Sequence, residues 1–239
     1  MRFQTPAWLV GGVAVLLGAW GAAGQGSFQN LGFESATIVP VSAGQVVDFG
    51  QAFPGWTGYV GGAQQFAAVY NGLFMDTAGF SIIDRGFTNP FGEPGGLIQG
   101  NFTGVLMSGI TGVLQPADAT LAQTGLVPAG TESLQFRAHL DNFSSSDTFD
   151  VTLGGQTLSL IPLQAGANYI LYGADIHAWA GQTAELAFTA IAQRPHHVDT
   201  YLYLDSIQFS NQPVPEPGIF GLSALGVLLL GWRTLGRRQ

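Results

Sequence analysis

Through the middle of the chain, apolar and polar residues alternate one by one, which is the period of a strand with one buried face. In ESLQFRAHL, Leu134, Phe136, Ala138 and Leu140 alternate with Ser133, Gln135, Arg137 and His139. In DTFDVTLGGQTLSLIPL, Phe149, Val151 and Leu153 share a face, Gly154-Gly155 reads as a hairpin turn, and Leu158 and Leu160 follow it. TAELAFTAI repeats the alternation with Leu186, Phe188 and Ala190. Gly, Pro, Asn and Asp separate these runs, and neither a heptad nor a long helical period appears between Gln25 and Gln212. The spacing predicts an all-β fold: one β-sandwich, jelly-roll-like, over residues 25–210, with roughly nine to eleven strands in two sheets around one core. No internal boundary or repeat divides it.

One run departs from simple alternation. In TYLYLDSIQFS, Tyr201, Tyr203, Asp205, Ile207 and Phe209 lie on one side, while Leu202 and Leu204 point to the other. Either both faces are buried, or a bulge near Asp205 switches the phase. A carboxylate in such a strand needs a partner or a route to solvent.

The two ends do not alternate. MRFQTPAWLVGGVAVLLGAWGAAGQG begins with Arg2, continues with an apolar stretch from Ala7 to Trp20, and ends on Ala22-Ala23-Gly24. These are the three parts of a secretory signal peptide, here residues 1–24; an N-terminal anchor is the alternative. Near the other end, Gly218 to Trp232 is a run of fifteen uncharged residues followed by Arg233, Arg237 and Arg238. It reads as a transmembrane segment with a basic cytoplasmic tail, 218–239, anchoring the precursor with its body outside. Between it and the sandwich, residues 211–217 form a proline-rich linker.

Charge narrows the function classes. Only 9% of residues are charged, lysine is absent, and the stretch 25–212 holds three arginines against fourteen acids, a net of −11. Nucleic acid is thereby excluded as a partner, because its phosphates need basic surfaces. With no lysine and no cysteine, Schiff-base chemistry, thiol nucleophiles and disulfides are excluded as well. Gly-x-Ser-x-Gly, His-Glu-x-x-His and phosphate-cradling glycine motifs are all missing.

Four groups of residues remain as candidates. RPHHVDTY brings His196, His197 and Asp199 together, suitable metal ligands by type, but Pro195 places them in a loop and no third ligand is identifiable. Asp141, Asp147 and Asp150 surround the loop DNFSSSD, and a polysaccharide hydrolase would need two such acids across a groove. Asn101-Phe-Thr and Asn142-Phe-Ser match a glycosylation sequon. Trp56, Tyr59 and Trp179 lie beside turns, where aromatic rings stack on sugars; the reading that they cap the core stands beside it, most of all for Trp56.

VPEP, an apolar span and a terminal arginine cluster, in that order over Val214 to Gln239, resemble the PEP-CTERM sorting signal. That resemblance implies recognition of Pro215, Glu216 and Pro217 by a membrane exosortase. It also implies processing of the tail and delivery to the envelope or extracellular matrix of a Gram-negative-type, exopolysaccharide-making bacterium. The domain's own opening, SFQNLGFES followed by FPGWTGY, and its closing YLDSIQF resemble jelly-roll modules of the galactose-binding or carbohydrate-binding type. By that resemblance, Glu34 of the first strand and Asp205 of the last are ligands of a structural calcium ion, although Ser206 stands where the second aspartate is usual. The expectation is an exported, non-catalytic surface or matrix protein with exopolysaccharide as its ligand. The alternatives are a secreted hydrolase acting on polysaccharide and a purely structural or adhesive protein.

Overall fold

The computed structural model describes residues 27–39, 41–89, 95–112, 115–141, 148–192 and 200–215. Both terminal segments lie outside them, as do Glu216, Pro217, the His196–His197–Asp199 group and the Asn142–Asp147 loop.

The described chain is an all-β sandwich. One sheet has six strands in the order β12 (Gln156–Thr157), β11 (Phe149–Leu153), β15 (Thr183–Ala190), β9 (Ala119–Leu126), β2 (Thr57–Val60) and β3 (Ala63–Gln65). The other has eight, in the order β1 (Val46–Asp48), β4 (Ala67–Tyr70), β5 (Gly79–Ile83), β6 (Thr103–Met107), β16 (Tyr201–Ser210), β10 (Ser133–Asp141), β14 (Ile170–Asp175) and β13 (Ile161–Ala165). A small pair, β7 (Gly109–Ile110) and β8 (Pro116–Ala117), brings the strands to sixteen among the described residues. That exceeds the nine to eleven expected, because several are two- or three-residue strands too short to show alternation. One short helix, α1 (Phe49–Ala52), is capped by Asp48, whose carboxylate accepts the Gln51 N–H.

The alternation expected from sequence sets the core. Leu134, Phe136 and Ala138 of β10 face Val151 and Leu153 of β11 and Leu186, Phe188 and Ala190 of β15, all buried in one cluster. Gly154 and Gly155, at φ 58° and 77°, join β11 to β12 in a two-residue turn, with Leu153 opposite Gln156. Two successive residues at positive φ define the type I′ hairpin turn, which glycine enters without strain.

Both readings of TYLYLDSIQFS hold. Leu202 and Leu204 enter the main core, while Tyr201 and Tyr203 join Ile83, Phe87, Val105 and Met107 in a second cluster on the outer face of the eight-stranded sheet. Opposite Gln135 and Arg137 the register of β16 slips from Gln208 to Asp205, and Ser206 takes φ 51°. This bulge returns Ile207 to the main core. Asp205 is therefore left on the outer face.

The motif residues of the domain's opening form one node. Asn30, at φ 50°, receives the Ser35 N–H on its side chain, donates its amide to the Pro54 carbonyl, and accepts the Trp56 indole N–H on its own carbonyl at 3.1 Å. Phe33 is fully buried, with Phe53 and Trp56 rings at 5.7 and 6.0 Å. The node turns Glu34 outward beside the last strand, where Leu31 accepts the Ile207 N–H. Glu34 thus sits in a turn and not in a first strand, a correction to the expectation: the positive φ of Asn30 and Phe33 breaks any extended run there.

Candidate functional site

The outer face of the eight-stranded sheet is covered at two places and open between them. Over β6 and β16 lies the segment that precedes β6, and its residues 95–102 form a strap. Asp205 is 1% exposed. Its Oδ2 accepts the Gln99 N–H at 3.1 Å and the Thr103 hydroxyl at 2.8 Å, and its Oδ1 accepts the Ser206 N–H at 2.6 Å. Glu34 accepts the Asn101 N–H at 2.8 Å, the Asn101 side-chain amide at 2.8 Å and the Phe102 N–H at 3.3 Å. Across the sheet, the Asn168 amide donates to the Leu97 carbonyl at 2.8 Å. The strap is thereby tied down on both sides of β10.

Sequence resemblance paired Glu34 with Asp205, and the structure brings them to the same strap, on either side of Gly32. What they hold there is a set of N–H and O–H donors. Among the described residues no group of three or more His, Asp or Glu side chains is placed to take a metal ion. Calcium takes six to eight oxygens, so an ion at this position would have to displace the amides and draw in carbonyls. As arranged, the pair is a carboxylate clamp. Burial pushes the Asp205 carboxyl up to about 6, against the lowering effect of the Thr103, Gln99 and Ser206 hydrogen bonds.

The strap's turn depends on Gly100, at φ +66°, where an added Cβ would lie 2.0 Å from Glu34 Oε1. Gly100→Ala is expected to cost about 1–2 kcal/mol in backbone strain alone and to unseat Glu34 as well. Limited proteolysis should then cut within 95–102 under conditions that leave the parent chain intact. In the Asn101 sequon the Thr103 hydroxyl is buried and the amide of the exposed Asn101 donates to Glu34.

At the far side of the same face, residues 211–215 return across the sheet. Ser133 Oγ donates to the Gln212 carbonyl at 2.7 Å, and Val214 packs over Gly173 of β14. Residues 212–215 of the linker are thus docked on the domain. Pro213 and Pro215, with Leu160 to Leu163, line a depression of about 660 Å³ that reaches Gln135.

Between strap and linker the outward residues of β10 form a polar floor. Gln99, Gln135, Arg137, Leu171, Ser206, Ile207 and Gln208 enclose about 380 Å³. Arg137 Nη1 donates to Ser206 Oγ at 3.1 Å, and its guanidinium lies 5.0 Å from the centre of the Tyr169 ring. Gly166 makes room for that ring, since any Cβ there would meet it at 2.4 Å. Beyond the strap, His139, Asp141, Tyr203, Phe87 and Asn89 line a smaller depression of about 150 Å³. The three hollows follow β10 from Gln135 to Asp141 as one interrupted groove.

Comparison with known proteins adds little. No family model and no curated protein matches the sequence. Among solved structures, the K2 cleaved adhesin domain of Lys-gingipain is similar at 16% identity, over 75% of this chain and 95% of that one, with a TM-score of 0.35. A TM-score that low supports no inference about this chain, so the site rests on its own geometry.

The aromatic residues singled out as glycan contacts do not form a platform. Trp56 is 5% exposed, so its ring is not free for a ligand; Phe33 and Phe188 occupy its neighbourhood. This corrects its place among the contacts. Tyr59 stands half-buried on the outer face of the six-stranded sheet, in register with Thr120 and through it with Thr189 and Asp150. Trp179, in a single turn over His177–Trp179, packs against Gly154. Tyr59 on β2 and that turn beside β11 are separated across the sheet by β9 and β15, a lateral spacing alone of about 14 Å. Sequence alone does not mark the groove residues, because outward Gln, Arg and His in an alternating strand read as solvated positions. Arg137, one of three arginines in a stretch of net −11, is the available signal.

Proposed function

We propose that the protein is an exported surface or matrix component whose sandwich adheres, without catalysis, to exopolysaccharide through the groove along β10. The observation that carries the reading is the convergence of three glutamines, a serine and an arginine on one open hollow. Amide and hydroxyl groups at fixed positions are what sugar hydroxyls need, and Leu171 supplies an apolar patch for a ring face. A fixed strap and a docked linker wall the groove on both sides, so little ordering is required when a chain binds.

The address belongs to the same proposal. The signal peptide exports the chain, the tail holds the precursor in the membrane, and an exosortase reads Pro215, Glu216 and Pro217. Support comes from the sequence order of these parts; Pro215, the described residue of the three, is exposed.

The test is retention of the intact protein, in detergent, on gels containing the host's exopolysaccharide. Gln135→Ala with Gln208→Ala is expected to weaken retention about tenfold or more at unchanged thermal stability, with no reducing ends released. Reducing-end release abolished by Asp141→Asn would point to a hydrolase. Neither retention nor release would leave a purely structural surface protein. For the address, replacing all three motif residues by alanine should leave a precursor that keeps its tail; normal processing of that variant would refute the sorting assignment.

A further inference from the structure

We infer that the hollow around Arg137 takes a sugar residue carrying one carboxylate, a uronic acid unit of a polysaccharide chain; this rests on the polysaccharide reading above and names its ligand class. The starting point is the state of Arg137. Only Arg85 and Arg137 are cations of the arginine type among the described residues. A half-buried arginine in a region with fourteen acids is expected to find one, yet no acid among the described residues forms an ion pair with Arg137. Asp205 stands directly across the register from Arg137, and its oxygens are taken instead by Gln99, Thr103 and Ser206. Ser206 stands between the two, accepting from Arg137 at 3.1 Å and lying 3.2 Å from Asp205 Oδ1. The fold keeps the nearest carboxylate occupied elsewhere.

The rest of the guanidinium is oriented for a ligand. One of its nitrogens is held by Ser206 and the guanidinium lies by the Tyr169 ring; Arg137 also lines the hollow, and a guanidinium is a planar fork of donors that matches a carboxylate. The other polar groups, Gln99, Gln135 and Gln208, are neutral amides, which suit ring hydroxyls and add no repulsion. The hollow holds one cationic side chain, Arg137, which matches one carboxylate and leaves a dianion half compensated. A phosphate dianion is disfavoured on that ground.

Binding is measured on the intact protein in detergent, with chelator present to prevent cation bridging. The probes are polygalacturonate, alginate and hyaluronan, with fully methyl-esterified polygalacturonate as the uncharged counterpart. At least one polyuronate is expected to bind, about tenfold more weakly as salt rises from 50 to 300 mM. Arg137→Gln is expected to weaken that binding about tenfold or more. Gln208→Glu, which brings a competing carboxylate to the hollow, should do the same and serves if the first variant folds poorly. Where polygalacturonate is the polymer bound, its ester should bind no better than the variants do. Equal binding of acid and ester, or Arg137→Gln and Gln208→Glu both without effect, overturns the uronate assignment. Binding of the host's exopolysaccharide but of none of the three polyuronates also overturns it, leaving the adhesion reading in place. Binding of no polymer at all removes both.

Discussion

Phe136→Ala is expected to be the most damaging single substitution in the sandwich, at about 3–5 kcal/mol. Phe136 is fully buried. Its ring stacks on Tyr172 of β14 at 5.5 Å and meets Phe188 of β15 edge-on at 5.1 Å and Phe149 of β11 at 6.2 Å. It therefore spans both sheets, and truncation leaves a cavity that neither backbone can close. For a domain of this size the loss corresponds to a fall in Tm of roughly 10 °C or more. Phe66→Ala is the control: that ring is 73% exposed and should change stability by about 0.5 kcal/mol or less. Similar melting of the two variants would show that the sheets are not packed through Phe136.

Asp205→Ala should rank second, at about 2–3 kcal/mol, because the Thr103 hydroxyl and the Gln99 and Ser206 amides lose their acceptor while the desolvation of one carboxylate is relieved. The damage should be local first, with fast hydrogen exchange at Gln99 and Asn101. The pH dependence has a defined sign. Burial raises this carboxyl to about 6 in the folded chain, so between about 4 and 6 the folded state binds its proton more tightly than the unfolded state does. The contribution of Asp205 to stability is therefore greatest below about pH 4 and is lost as pH rises through 6. Asp84, held low chiefly by hydrogen bonds from Tyr70 and Asn71 that outweigh its burial, acts in the opposite direction. The informative quantity is thus the difference between the parent chain and Asp205→Asn, which should grow in the parent's favour from pH 7 to pH 5. A flat difference would mean that Asp205 is not buried as described. Calcium is tested in the same melts. A clamp made of N–H donors predicts equal Tm with calcium and with chelator. A calcium-dependent rise abolished by Glu34→Ala would place an ion between the two carboxylates, as the sequence resemblance implies.

Much of the architecture was legible because a sandwich core writes its period into the chain. Leu134, Phe136, Val151, Leu186 and Phe188 each occupy the face that alternation gives them, and Gly154-Gly155 turns where two successive glycines allow. The bulge in β16 was legible too, since a phase switch leaves Ile207 out of step with Leu202 and Leu204. The strap was not, because residues 95–102 have no period of their own. Their position is set by Glu34, Asp205 and Asn168, which are distant in sequence. The groove was illegible for a related reason. Polar residues on a strand look the same whether they face bulk water or a hollow walled by another segment, and Gln135 and Arg137 acquire their meaning only from the strap and the linker beside them. Asn30, Phe33 and Trp56 show the reverse case: their pattern was visible, but its purpose is to build a turn and a core contact.

The most direct test of the account is hydrogen exchange on the intact protein with and without saturating exopolysaccharide. The groove assignment predicts slowed exchange in the strap around Gln99–Thr103, along β10 at Gln135–Arg137 and in β16 around Ser206–Gln208, with the six-stranded sheet unchanged. Protection centred on Tyr59, Thr120 and Thr189 instead would move the binding face to the opposite side of the sandwich and contradict it.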